Sequence, residues 1–164
     1  MEIAVLTLVL SLVRDPLFGS EAGVMFSRDL LWTNRISTIE RTERAAFIVD
    51  EGGGNLQCLV WPATYQHARA TFRGVIPRGT IAIIHTHPAN APWPSENDER
   101  EARRLGIPIY ALTPLAITKA APAKDAQLVE RGPWLAPPSD RYRCKPIGSE
   151  SASPATLTAS SSGE

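Results

Sequence analysis

Short apolar runs separated by glycine and proline turns make up much of the chain. Seven runs have the length and composition of strands, at residues 22–26, 31–39, 45–49, 56–61, 80–84, 107–112 and 115–120. The run at 80–84 is almost continuously apolar, which predicts a buried central strand. The glycine-rich segment 51–55 lies between two of the runs and predicts a hairpin turn.

Two other segments have helical features. Residues 64–72 predict a short helix, and the charged segment 99–105 predicts another, ended by Gly106. Ser95 and Asp98 precede that second helix at the spacing of an N-cap and an acidic N3 residue. Strands interleaved with two or three helices predict one domain of mixed α/β or α+β class.

Both ends of the chain differ from this central part. Residues 3–13 are almost wholly apolar, but a bilayer span needs about 20 residues. The segment also lacks the basic start and the small-residue cleavage site of a signal peptide. We therefore predict a buried helix over residues 1–16, with an atypical signal segment as the alternative. The domain proper is predicted at 17–146, and the serine-rich residues 147–164 are predicted to be a disordered tail.

Composition limits the possible functions. The chain has 164 residues, enough for one domain with a real core. Its 17 basic and 17 acidic residues balance, which argues against binding nucleic acid or a membrane surface through bulk charge. Cys58 and Cys144 are far apart, so we expect neither a disulfide scaffold nor a cysteine-ligated zinc site. A reducing, cytoplasmic location is the matching expectation.

The segment directly after the predicted central strand carries residues suited to metal chemistry. His85 and His87 are two positions apart, and alternate residues of a strand project to the same side. Asp98, at the start of the next helix, adds a carboxylate. Two imidazoles and a carboxylate can bind zinc and leave a fourth position open for water, as catalytic zinc sites do. The competing interpretation is strand-end packing for the histidines and helix capping for Ser95 and Asp98.

The segment HTHPANAPWPSEND resembles the JAMM motif of the JAB1/MPN+ metalloprotease family, whose pattern is H-x-H-P followed by S-x-x-D. The resemblance implies that His85, His87 and Asp98 bind zinc and that Ser95 helps to stabilise the oxyanion. It covers roughly residues 17–120 and implies a single MPN/JAB-like α+β domain. The expected sheet is central and mostly antiparallel, flanked by two or three helices.

The resemblance also implies a glutamate on an early strand that acts as the general base. Glu21 stands in a segment similar to the family's early E-x-x-G-hydrophobic pattern, and we predict that it is this base. The other candidates are Glu40 and Glu43, in a charged stretch typical of a solvated turn, and Glu51, beside the glycine turn.

The function implied is that of a zinc-dependent metallopeptidase or isopeptidase of the small prokaryotic type. Its expected partner is a peptide or protein substrate, such as a ubiquitin-like or sulfur-carrier protein, with no nucleic acid and no membrane. Two alternatives remain. One is a non-catalytic MPN-like module that binds proteins. The other is a RadC-like role in DNA processing, which the neutral net charge disfavours.

Overall fold

Seven strands form one mixed sheet in the computed structural model, which describes residues 15–35, 42–63, 70–88 and 90–149. The predicted N-terminal helix and tail lie almost entirely outside these ranges. So does most of the helix predicted at 64–72, and residues 70–72 are not helical. Within the described ranges, no helix has the length and hydropathy needed to cross a bilayer.

Strand β3 lies at the centre of the sheet, whose order is β6-β5-β4-β3-β1-β2-β7. Four of the neighbouring pairs are antiparallel, and β3–β4 and β2–β7 are parallel. The strands are β1 (Ala45–Asp50), β2 (Leu56–Val60), β3 (Thr80–Thr86), β4 (Ile109–Leu112), β5 (Ala116–Ala121), β6 (Lys124–Arg131) and β7 (Lys145–Pro146). The described helices are α1 (Glu21–Thr33) and α2 (Glu96–Leu105). This is the expected α+β class, with a mostly antiparallel sheet.

The sheet is buried on both faces because its strands alternate side chains between two cores. In β1, Ala46 and Ile48 belong to one core, and Phe47 and Val49 belong to the other. Helix α1 covers the first face with Phe26, Leu30 and Leu31, and α2 covers the second with Ala102. We call them the α1 face and the α2 face. The predicted glycine hairpin joins β1 to β2, with Asp50 paired to Leu56.

The strands predicted at 22–26 and at the start of 31–39 are wrong, because both lie in α1. Ser20 caps this helix by accepting a hydrogen bond from the Gly23 backbone N–H at 3.1 Å. Phe26 and Leu30, four residues apart, then share one helix face and are buried against the sheet. Segments this short fit either period, and the helical one prevails because it buries both side chains.

Strands β6 and β7 were not predicted. β6 is an edge strand with mostly exposed or half-buried residues, so it lacks the apolar run that marks a core strand. β7 is only two residues long and pairs with the end of β2.

The two cysteines, for which no disulfide scaffold was expected, do pair: Cys58 on β2 and Cys144 before β7 form a disulfide. The fold brings them together across 86 residues of sequence, on the α1 face. The backbone N–H of Cys144 donates to Asp29 of α1 at 2.8 Å, which holds the C-terminal segment against the helix. The cysteine argument for a reducing compartment therefore no longer stands.

Reducing this disulfide should destabilise the domain, because the bond closes a long loop and restricts the unfolded chain. We expect Cys144→Ser to lower the free energy of unfolding by about 2–4 kcal/mol, measured by urea denaturation. A thiol titration of the unfolded, unreduced protein should find no free thiol. Two titratable thiols in protein purified under air would contradict the pairing.

Asp15 forms a polar network beside the core that links three parts of the chain. Its carboxylate accepts hydrogen bonds from Tyr110 Oη at 2.9 Å and Lys119 Nζ at 2.6 Å, and from the backbone N–H of Leu17 at 3.0 Å. Burial raises the pKa of Asp15, but these hydrogen bonds and the Lys119 charge outweigh it and hold the pKa below 3.8.

Because the pKa of Asp15 is lower in the folded state, the ionised carboxylate stabilises the fold at neutral pH. That contribution is present above the unfolded pKa and is lost as the pH falls below about 4. We expect Asp15→Asn to lower the free energy of unfolding by about 1–3 kcal/mol at pH 7. The difference from wild type should shrink towards pH 2; a constant difference across this range would refute the ionic contribution.

Candidate metal centre

The end of β3 presents two buried histidines side by side. Ile83 of β3 packs in the core of the α2 face, and strand alternation places His85 and His87 on that same face. Their ring centroids are 4.6 Å apart, and the residues are 6% and 7% exposed. The predicted pair therefore lies together at the sheet centre.

Helix α2 brings Asp98 to the histidines. Asp98 Oδ1 is 3.6 Å from His85 Nε2, and Oδ2 is 3.7 Å from His87 Nε2. A capping box fixes this carboxylate: Ser95 donates to Oδ2 from its backbone N–H at 2.7 Å and from Oγ at 2.8 Å. Capping and ligand placement are thus compatible, because Oδ1 stays directed to His85.

Glu43 reaches the same two histidines from the segment just before β1. Its Oε2 is 3.8 Å from His85 Nδ1, and its Oε1 is 3.9 Å from His87 Nε2. Strand pairing explains this position, because Ala45 at the start of β1 lies opposite His85 of β3. Glu43 is half-buried, so for this residue the interpretation as part of a solvated turn is wrong, and Glu40 lies outside the described residues.

Glu21, predicted to be the general base, lies elsewhere. It is the first residue of α1, which packs on the α1 face, and its carboxylate accepts a hydrogen bond from Tyr142 Oη at 3.3 Å. The structure brings together His85, His87 and Asp98 from the predicted set, places Ser95 beside Asp98, and adds Glu43 in place of Glu21. The signal that would have identified Glu43 is its position two residues before a strand that pairs with β3.

Burial and neighbouring charges shift the pKa values of the two histidines in opposite directions. Burial lowers the pKa of His85, but the neighbouring Glu43 and Asp98 carboxylates outweigh it and raise the pKa above 6.5. Burial and the neighbouring His85 hold the pKa of His87 below 6.5. His87 Nδ1 lies 2.8 Å from the Ala91 carbonyl oxygen, and the tautomer that is protonated at Nδ1 donates a hydrogen bond to this oxygen and leaves Nε2 free as a ligand.

These residues suit a bound metal ion. One ligand atom each from Glu43, His85 and His87 lies within 4.8 Å of the others. Asp98 offers a second carboxylate at similar distances. His85 Nε2 is buried with no hydrogen-bond partner among the described residues, although buried polar atoms are normally paired. A cation at the cluster would engage this atom and balance the carboxylates, so the donor set fits a divalent transition metal.

Thr86 fixes the segment that carries Glu43. Lying between the two histidines in sequence, it projects to the opposite face. There its Oγ1 accepts hydrogen bonds from Arg44 N–H at 3.0 Å and from Asn34 Nδ2 at 2.7 Å. The Thr86 N–H donates to the Arg44 carbonyl at 2.8 Å. One residue of β3 thus holds the backbone next to Glu43 while its neighbours supply the imidazoles.

The structure is an α+β domain with a candidate metal centre, and it is consistent with a JAB/MPN-like fold. The family model for prokaryotic homologs of the JAB domain matches residues 61–129, and this match confirms the resemblance to the JAB/MPN family that the motif suggested. The matched part contains His85, His87, Ser95 and Asp98, whereas Glu43 precedes it. Neither curated proteins nor solved structures include a significant match to the chain.

Replacing Thr86 with valine should disturb the metal centre without removing any ligand. Valine keeps the shape but provides no acceptor for Arg44 N–H and Asn34, so the Glu43 segment should loosen. We expect metal affinity to fall by about 10–100-fold, measured by competition with a chromogenic chelator. Thr113→Val is the matched control, because Thr113 is equally buried and bonds to Ala116 in the β4–β5 turn. Equal losses in both variants would indicate general destabilisation instead.

Proposed function

We propose that this domain is a zinc-dependent peptidase or isopeptidase. The observation that carries the proposal is the convergence of two histidines and two carboxylates at the buried end of the central strand. The JAB-type segment supports it, because the residues that match the family's motif are the ones that meet here. A non-catalytic binding module would not need a second carboxylate beside a complete ligand set.

The metal ligands in this proposal are His85, His87 and Asp98. The Ser95 hydrogen bonds to Oδ2 orient Asp98 and leave Oδ1 for the metal. Zinc bound there would polarise a substrate carbonyl and bring the pKa of a coordinated water near 7. Zinc is proposed because two imidazoles and a carboxylate are a ligand set that it commonly takes.

Glu43 is the proposed general base. Its carboxylate oxygens lie 3.8 Å from His85 Nδ1 and 3.9 Å from His87 Nε2, close enough to contact a water held between the two rings. It would accept a proton from the attacking water and return it to the leaving amine, so that a peptide C–N bond breaks without a covalent enzyme intermediate. Its partly buried position limits competing solvent.

Ser95 has two proposed roles. In the described structure its Oγ donates to Asp98, which makes it a positioning residue for that ligand. The sequence resemblance implies that it also donates to the developing oxyanion, which requires the Oγ proton to turn from Asp98 towards substrate. An oxyanion donor of this kind typically contributes about 10²–10³ in kcat.

The proposed substrate is a peptide or protein, and ubiquitin-like and sulfur-carrier proteins fused to a target are suitable first substrates. A nucleic-acid substrate is disfavoured by the net charge of zero. The compartment remains a prediction, because the disulfide removed the cysteine argument for the cytoplasm.

Measurements of zinc content and of turnover should distinguish the roles of the three acidic residues Asp98, Glu43 and Glu21. We expect Asp98→Ala to lose most of its zinc, measured by elemental analysis, and to lose activity with it. Glu43→Gln should retain about one zinc per chain while kcat falls by about 10²–10⁴, because the ligands remain and the base is gone. Glu21→Gln should match wild type in both measurements.

The same set of variants distinguishes the alternatives. Loss of zinc in Glu43→Gln would make Glu43 a ligand and remove its assignment as the base. Loss of turnover in Glu21→Gln with zinc retained would return the base role to Glu21. Stoichiometric zinc in wild type without cleavage of any peptide or isopeptide substrate would favour the binding module.

A further inference from the structure

A cavity of about 410 Å³ opens beside the metal centre on the α2 face. His85 and Asp98, two of the proposed zinc ligands, are part of its wall, so the cavity and the centre are continuous. The volume lies within the range of pockets that hold small ligands, about 300–1,000 Å³. It therefore has room for a whole side chain of a ligand.

The cavity has an apolar part, formed by the sheet and by an aromatic cluster, and a polar part, formed by His85 and by residues of α2 such as Asn97 and Asp98. The apolar part is lined by Phe47 of β1, Ile83 of β3 and Ile109 of β4, together with Trp61 and Phe72. The three aromatic rings pack on one another, with centroids 5.0 Å apart for Phe47 and Trp61 and 4.9 Å for Phe47 and Phe72. Ring packing of this kind makes a firm wall rather than a loose surface.

Glu101 and Arg104, which line the cavity in addition to the proposed metal ligands His85 and Asp98, are paired with each other. Arg104 Nη2 lies 2.6 Å from Glu101 Oε2, and both side chains belong to α2. The Arg104 Nε also donates to Glu101 at 3.0 Å, so this guanidinium and carboxylate satisfy one another. A charged side chain that packed against the aromatic cluster would find no free counter-charge in this pair, which favours a neutral occupant of the apolar part.

We propose that this cavity receives a large apolar side chain, aromatic or leucine-sized, from the substrate next to the scissile bond. This inference rests on the proposed function. An extended chain advances about 3.3–3.6 Å per residue. A side chain entering a cavity bounded by the ligands therefore belongs to a residue within one or two positions of the cleaved bond. Phe72 and Trp61 would then be specificity-determining residues.

Two hydroxamates test the cavity without requiring turnover, because the hydroxamate group binds zinc and its substituent reports the neighbouring space. We expect zinc-loaded wild type to bind phenylacetohydroxamate at least about tenfold more tightly than acetohydroxamate, measured by calorimetry. Phe72→Ala should reduce this ratio severalfold with unchanged zinc content. The matched control is Val75→Ala, since Val75 is in the same segment but is 91% exposed and does not line the cavity.

A second variant covers the case in which Phe72→Ala does not fold. Ile76→Phe adds volume at the cavity wall and should weaken phenylacetohydroxamate while leaving acetohydroxamate unchanged. Equal affinity of the two hydroxamates for wild type, or ratios unchanged in both cavity variants, would overturn the proposal.

The experiment also separates this inference from the proposed function. If the protein binds zinc and clearly prefers the phenyl-substituted hydroxamate but cleaves no substrate, the proposed apolar binding site is supported and the proposed peptidase activity is overturned. Cleavage of a substrate without such a preference would support the peptidase activity and overturn the proposed role of the cavity. If the wild-type protein binds no zinc, both proposals are overturned, because the proposed binding site for a substrate side chain depends on a metal ion held at the cavity wall.

Discussion

The alternation of side chains along β3 is the constraint on which both cores and the candidate metal centre depend. Even-numbered Ala82 and Ile84 fill the α1 face, and odd-numbered Ile83 packs under α2. The same alternation continues past the core, so His85 and His87 emerge together on the α2 face. A slip of one residue would bury both imidazoles among the apolar residues of the α1 face. Pairing of His85 with Ala45 on one side and Ala111 on the other fixes the register.

Thr86 extends this constraint to the opposite face. Its hydroxyl connects Asn34 at the end of α1 with Arg44 just before β1, and Asn34 Nδ2 also donates to the Thr42 carbonyl at 3.2 Å. Glu43 lies between the two anchored residues, so its carboxylate is presented by a backbone held on both sides. The position of the proposed base thus depends on helix α1, even though no residue of α1 supplies a ligand in our proposal.

Local sequence patterns were sufficient for the part of the site that is close in sequence. His85, His87, Ser95 and Asp98 lie in one strand–loop–helix unit, whose strand, N-cap and terminal Gly106 were all predictable from residue type and spacing. Glu43 was not, because its proximity arises from pairing between β1 and β3, and its charged neighbours resemble a solvated turn. The same limit applies to Cys58 and Cys144, which only the folded sheet brings together. Helix α1 was mistaken for strands because its short apolar segments fit both periods until the sheet that buries them is known.

Charge explains why two carboxylates can be held at this nearly buried position. Glu43 and Asp98 approach the same pair of imidazoles, and buried carboxylates are costly unless they are paired. Protonation of His85, whose pKa is raised, would balance only one of them, whereas one divalent cation balances both charges and engages the unpaired His85 Nε2. The capping box stabilises only one of the two carboxylates, through Ser95. A cluster built only for packing would not need the second. The position of Glu43, outside the matched JAB segment yet against its histidines, is therefore best explained by chemistry at a metal ion.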